Sequence, residues 1–308
     1  SYFMIRLIGH PFTMLYTTLI SIIRGLQKIK FCFFVILFTT IFNIFLSWFL
    51  LFKMNTGIEG AAIGTIVANI IGVFASILYL ISDKKIREKL FKKSYVQFEH
   101  VFNFGKNSAN IFGRSLFLTI SFYISTKMSA LIGIQSLAAH QILLQVWLFS
   151  SFFIDGIAIT GNILGAKYVE EKNINLLKET YKKLIQLGLL IGTVFSLSYF
   201  LFSKQIMGIF TEDAAVLSTL TEIWPLIVIT QIPNAYAFVY DGLLFGLEGF
   251  DYLRKHMIIG VLILFMPIAF SIYFFKYLIV LWLGLSILNL YRGISGMLGV
   301  KSMLEKLS

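Results

Sequence analysis

The side chains able to do chemistry in this sequence are a few polar groups set in long apolar runs. Asp155 lies near the middle of the run from Ile134 to Lys172. A carboxylate at the centre of a membrane span costs about 3 kcal/mol on insertion scales, so it needs a partner or a wet cavity. At helical spacing Gln141, Gln145, Asp155 and Asn162 fall within about 100° of one another. Two readings of Asp155 stand open: an acid that takes up and releases a proton or cation, and a protonated, hydrogen-bonded structural acid. A second stripe joins Asn103, Asn107, Asn110, Arg114, Ser121 and Ser125 within an arc of about 60°. Arg114 is deep enough to need a partner, and Asp155 on the adjacent run is the candidate. The alternative is an arginine snorkelling to the membrane interface. A third face carries Thr230, Asn234, Asp241 and Glu248, with Pro225 and Pro233 in the same run. Proline frees backbone carbonyls and kinks helices, and membrane proteins use such breaks beside cavities. Asp241 reads either as a site acid or as an acid at the interface.

Other chemistries lack their parts. The four histidines, His10, His100, His140 and His256, fall on four segments, and the sequence has no HExxH. Metal catalysis therefore has no ligand set. No Walker A loop, GxGxxG or GxSxG occurs, which removes the usual signatures of nucleotide hydrolysis and of a serine nucleophile. Cys32, the lone cysteine, excludes a disulfide framework. No cofactor and no enzymatic activity are expected.

The elements that must position these groups are membrane helices. Of 308 residues, 58% are hydrophobic and 13% charged, which defines an all-α polytopic membrane protein. Nine spans are expected, near 2–25, 31–52, 60–81, 102–131, 134–166, 177–202, 215–247, 252–275 and 277–300. The net charge of +11 does not point to nucleic acid, because the basic residues sort by side. Twenty of the 26 lie on one side of the expected spans and five on the other, which places the first set in the cytoplasm. The chain then starts outside, with no signal peptide, and upstream helices are expected. The pairs Gly60/Gly64, Gly161/Gly165, Gly188/Gly192 and Gly242/Gly246 permit close helix contact, expected within one chain, so a monomer is expected. A faint repeat relates Pro11 to Pro233, Gly25 to Gly246, Gly64 to Gly284 and Asn69 to Asn289, at offsets of 220 to 222 residues. Two homologous lobes would produce such a repeat.

The strings LAAHQILLQVWLFSSFFIDGIAI (137–159) and FVYDGLLFGLEGFDYLRKHM (238–257) carry a family resemblance. IIRGLQKIK (22–30), FNIFLSWFLLF (42–52), IEGAAIGTIVA (58–68) and LNLYRG (288–293) extend it in order along the chain. The chain resembles the multidrug and toxic compound extrusion (MATE) antiporters, on their DinF-like branch. That resemblance implies a fold of twelve helices in two six-helix lobes, of which this chain would supply helices four to twelve. Residues 1–83 would be the remnant of the N-terminal lobe, 84–101 a cytoplasmic linker, and 102–308 the C-terminal lobe. It aligns Asp155 and Asp241 with two aspartate–glycine motifs, Arg114 with an arginine early in the seventh helix, and Asn43 with an asparagine of an N-lobe cation site. Ser47 stands where the family usually has an aspartate, which puts N-lobe proton coupling in doubt.

The resemblance implies a multi-pass protein of the bacterial inner membrane that exports organic, cationic or amphipathic compounds (xenobiotics among them) in exchange for H⁺ or Na⁺, the lobes rocking about a central cavity. The rivals are a lipid-linked precursor flippase of the same superfamily, which wants a strongly cationic cavity, and a non-transporting membrane scaffold. The coupling candidates are Asp155, Asp241, Arg114, Asn43, Gln141, Gln145, Asn162, Asn234 and Asn110.

Overall fold

The computed structural model describes residues 2–91 and 98–307. The chain divides into two compact units, Ser1–Val96 and Gln97–Ser308. Residues 92–97 of the expected linker lie outside the described residues, and with them Lys92 and Lys93 of the charge count.

The first unit is built from α1 (Tyr2–Gly25), α2 (Ile29–Trp48), α3 (Ile58–Ser82) and the short α4 (Lys84–Phe91). α2 runs on through a π-helical turn, Phe49–Lys53. Ile20, Ile23, Cys32, Val35 and Leu80 form its core. The second unit holds α5 (Phe98–Ile132), α6 (Ile134–Glu170), α7 (Ile174–Leu201), the short α8 (Ser203–Phe210) and α9 (Ala214–Gly246). It continues with α10 (Phe250–Ile259), a π-helical turn (Gly260–Phe265), α11 (Met266–Phe270), α12 (Ile272–Phe275) and α13 (Leu278–Leu307). Side chains start the long helices. Asn173 accepts from the Leu176 amide at 3.1 Å at the head of α7. Asp213 accepts from Ala215 and Val216 at 2.9 and 3.0 Å at the head of α9, using amides that would otherwise lack partners.

Among the described residues, eight helices are long and apolar enough to cross a membrane. The ninth expected span, α1, is a helix of 24 residues, but Arg6, His10, Pro11 and Arg24 dilute its apolar run and it falls outside that set. α9 stays helical through Pro225 and Pro233. Irregular backbone lies instead just before Pro267. There the Met266 amide reaches back to the Val261 carbonyl, the spacing of a π-turn. Such a bulge resets the register before a residue that cannot donate.

Small residues set the approach of α6, α7 and α9. A Cβ on Gly242 would sit 2.4 Å from the Ala158 carbonyl oxygen, and one on Gly246 2.8 Å from that of Gly161. A Cβ on Gly192 would lie 2.7 Å from Ala235, and one on Gly188 2.5 Å from Val239. Tyr181 ties α7 to α9 by donating to the Leu243 carbonyl at 2.9 Å. The glycine pairs of α6, α7 and α9 thus serve contact within the chain, where van der Waals packing is the main attraction between helices in lipid.

Candidate functional site

α9 is the central helix of the site. Phe238, Asp241 and Phe245 follow one another at i, i+3 and i+7, so they share one face with the acid between two rings. Asp241 is buried at 6% exposure. Its Oδ2 accepts from Nη2 of Arg114, reaching in from α5. The same oxygen accepts from Nη2 of Arg292 on α13 at 2.5 Å. Each guanidinium also lies near one of the flanking rings. Arg114 is 5.4 Å from the Phe245 centroid, and Arg292 is 5.2 Å from that of Phe238. Guanidinium groups suit this double role because their planar fork both donates and stacks. Arg292 also donates from Nη1 to Asn289 Oδ1 at 2.7 Å. The Nε atoms of both arginines are buried and have no hydrogen-bond partner among the described residues.

Arg114 therefore pairs with Asp241, not with Asp155 as the sequence suggested. Asp241 faces α5 and α13 together, within reach of both guanidiniums. Arg114, Asp241 and Arg292 meet at one level of three helices, whereas Asp155 is half-buried on α6 and makes no hydrogen bond or ion pair among the described residues. Asp155 still lies within electrostatic range of Arg292, Arg114 and Asp241. Four ionisable groups, two acids and two arginines, thus occupy one neighbourhood of the second unit.

The other sequence candidates scatter. Gln141 and Gln145 are exposed. They share a face with Asp155, but Gln141 stands about 21 Å from it along the helix axis at 1.5 Å per residue. Asn162 is half-buried on α6 beside Gly246 of α9. Asn110 is buried at one turn from Arg114. Ser121 and Ser125 are fully buried, and each hydroxyl donates to a carbonyl of its own helix, Leu118 and Phe122. That half of the α5 stripe is thus a protein contact with its polar groups satisfied. Asn234 is buried, and its Oδ1 has no hydrogen-bond partner among the described residues. It lines a cavity of about 10 Å³ with Thr230, Ser286 and Asn289. A second cavity of about 10 Å³ lies between Asp241, Arg292, His256 and Ser295. Such spaces are about one water in size, far below an organic substrate. Glu248 leaves the α9 face, because it lies past the helix end with left-handed backbone, φ 56°. In the first unit, Asn43 donates to Thr65 Oγ1 at 3.2 Å.

Sequence reasoning missed Arg292. The charge pattern by side counts it among the twenty cytoplasmic basic residues. In fact α13 continues to Leu307, so Arg292 sits at mid-helix, about 20 Å from either end. Asn289 three residues earlier was the available signal. Removing Arg292 from the cytoplasmic set leaves nineteen basic residues there. His140 was also unassigned; it is fully buried, 5.6 Å from the Trp282 ring centroid, with no hydrogen-bond partner for either nitrogen among the described residues.

Apolar helices that enclose paired buried charges define a multi-pass membrane protein organised around internal electrostatics. The chain belongs to the MatE family, whose family model matches residues 111–271, just over half of it. It is 31% identical over 297 residues to Protein DETOXIFICATION 43 of Arabidopsis thaliana, covering 96% of this chain and 55% of that protein. It is 21% identical to the DNA damage-inducible protein F of Escherichia coli over 94% of this chain and 63% of that one. The chain spans about half the length of the first curated relatives it matches. Among solved structures, an outward-facing multidrug resistance MATE family transporter of the MOP superfamily aligns with a TM-score of 0.89. That alignment has 16% identity and covers 99% of this chain and 69% of the other.

Proposed function

We propose that this chain works in a DinF-like secondary antiporter that exports cationic or amphipathic organic compounds in exchange for H⁺ or Na⁺, in a bacterial inner membrane. Family membership supports the class. The observation that carries the coupling is the placing of Asp155 beside the Arg114–Asp241–Arg292 cluster. Asp241 is committed to two guanidiniums, while Asp155 has no such commitment and is the acid free to change partner. With both acids ionised the four groups balance. A proton or Na⁺ on Asp155 leaves one positive charge in excess, which opposes a cationic substrate nearby. Ion and substrate then compete for one electrostatic state, as exchange requires. Two arginines against two acids do not make the strongly cationic cavity that a flippase of anionic precursors wants.

The test is Asp155→Asn in the protein reconstituted in vesicles, with efflux of a cationic dye driven first by a pH gradient and then by Na⁺. The expected result is loss of gradient-driven efflux with the melting temperature kept within a few degrees. Normal efflux with normal ion dependence would overturn the coupling role.

A further inference from the structure

A cavity of about 470 Å³ opens at the end of the second unit where α7 begins and α13 ends. It is separate from the charged cluster. Its rim carries Lys178 and Lys182 on α7 and Lys301 on α13, with one acid, Glu305. The lysines are exposed. Its wall is apolar, formed by Ile185, Met297 and Val300, with Tyr240 beside them. The order of these groups along the helices matters. Met297 lies one turn from Lys301 towards the middle of α13, and Ile185 about one turn from Lys182 towards the middle of α7. Cationic heads therefore sit at the mouth and apolar surface continues about 6 Å inward. The hydroxyl of Tyr240 lies 3.2 Å from that of Tyr236.

We infer that this cavity binds one anionic phospholipid, its phosphate on Lys178, Lys182 and Lys301 and the start of an acyl chain against Ile185, Met297 and Val300. Charge complementarity and the polar-to-apolar order argue for a lipid over a soluble anion. Basic pockets between membrane helices are suited to anionic headgroups. A cavity of about 410 Å³ near the opposite ends of α6 and α7 supplies an internal contrast. Gln145, Phe149, Phe152 and Ile209 line it, with no charged side chain. Apolar volume of that kind accepts acyl chains without choosing a headgroup. Tyr240 precedes Asp241 on α9, so an occupant of the basic cavity would press on the helix that carries the charge cluster.

The experiment is native mass spectrometry of the protein titrated with dioleoyl phosphatidylglycerol and dioleoyl phosphatidylcholine. Each lysine near an anionic headgroup is worth on the order of five-fold in binding, so two net charges give roughly thirty-fold preference for phosphatidylglycerol. K178Q/K182Q/K301Q should reduce it to about three-fold or less. K172Q/K183Q/K306Q, which removes equal charge from the same end outside the cavity, should leave it unchanged. Met297→Trp, which fills the apolar wall, should weaken phosphatidylglycerol binding at least five-fold. Equal loss in the two triple variants would overturn the inference, as would full preference in the first. Complete displacement by glycerol 3-phosphate would also overturn it, in favour of a soluble-anion site.

Discussion

Helices α1, α2 and α3 of the first unit and the set α9, α10 and α13 of the second follow one plan and fill it differently. In both, the first helix runs along the third; α2 ends in a π-turn, and a π-turn also follows α10 before the span continues as α11. In the first unit, Tyr16 lies against Gly72, where a Cβ would come within 2.4 Å of its ring, and its hydroxyl is 2.9 Å from Thr39 Oγ1. The repeat offset carries Tyr16 to Phe238, Thr39 to Gly260 and Gly72 to Arg292. There the phenol is a plain ring, the hydroxyl partner is gone, and the glycine has become a guanidinium beside that ring. Asn69 and Asn289 occupy matching positions. One donates to Thr13 Oγ1 at 2.7 Å, and the other accepts from Arg292. The difference teaches that at these matched positions the first unit uses neutral hydrogen bonds, so the buried charges of the second are an addition there.

The largest test of that contrast is Asp241→Asn. It leaves two buried guanidiniums without their shared carboxylate, and breaking a buried pair costs about 3–5 kcal/mol. Thermal melting in lipid nanodiscs should show the loss, and replacing Arg114, Asp241 and Arg292 together by Leu should recover most of it. A cost no greater than that of a neutral contact would erase the distinction between the copies.

Next come the paired glycines. Gly246→Ala forces a methyl against the Gly161 carbonyl, and overpacking of this kind costs about 1–3 kcal/mol. Gly25→Ala, at the repeat-related position, meets nothing within 4 Å. There alanine should be neutral or gain up to about 1 kcal/mol from helix propensity. Equal melting of the two variants would mean that the α6–α9 contact is looser than described.

Asn69→Ala removes the bond to Thr13 and should cost about 0.5–1.5 kcal/mol, the ordinary worth of a neutral hydrogen bond. Smallest of all is Lys28→Gln. It breaks the 3.5 Å ion pair with Asp83, in which Lys28 is 46% exposed. Such pairs contribute about 0–1 kcal/mol and are screened by salt. A melting change that persists at high salt would show that the first unit also relies on charge.

Much of the fold was legible in the sequence because lipid leaves the backbone few options. Apolar runs of this length must close their own hydrogen bonds, and helices do so locally. α6 and α9 accordingly lie within a few residues of their expected limits. Asp155, Asp241 and Arg114 were legible for a related reason: a charge within such a run is costly wherever the run goes. The glycine pairs were readable as contacts, though not which helix each would meet.

Pairing was decided only in three dimensions. Helical angles place residues on a face but carry no information on the height at which two helices cross. Asp155 and Asp241 both lie within range of Arg114, and the guanidinium pairs with Asp241. Arg292 looked like a terminal charge until the full length of α13 put it at mid-helix against Phe238. The sequence by itself determined that this chain crosses a membrane as helices and must shelter a few charges. Tertiary structure alone decided that one carboxylate would be shared by two arginines. Local periodicity sets which residues turn inward, whereas close contacts such as those of Gly293 and Gly296 on α13 with Tyr236 and Tyr240 on α9 set the approach at which Asp241 and Arg292 meet.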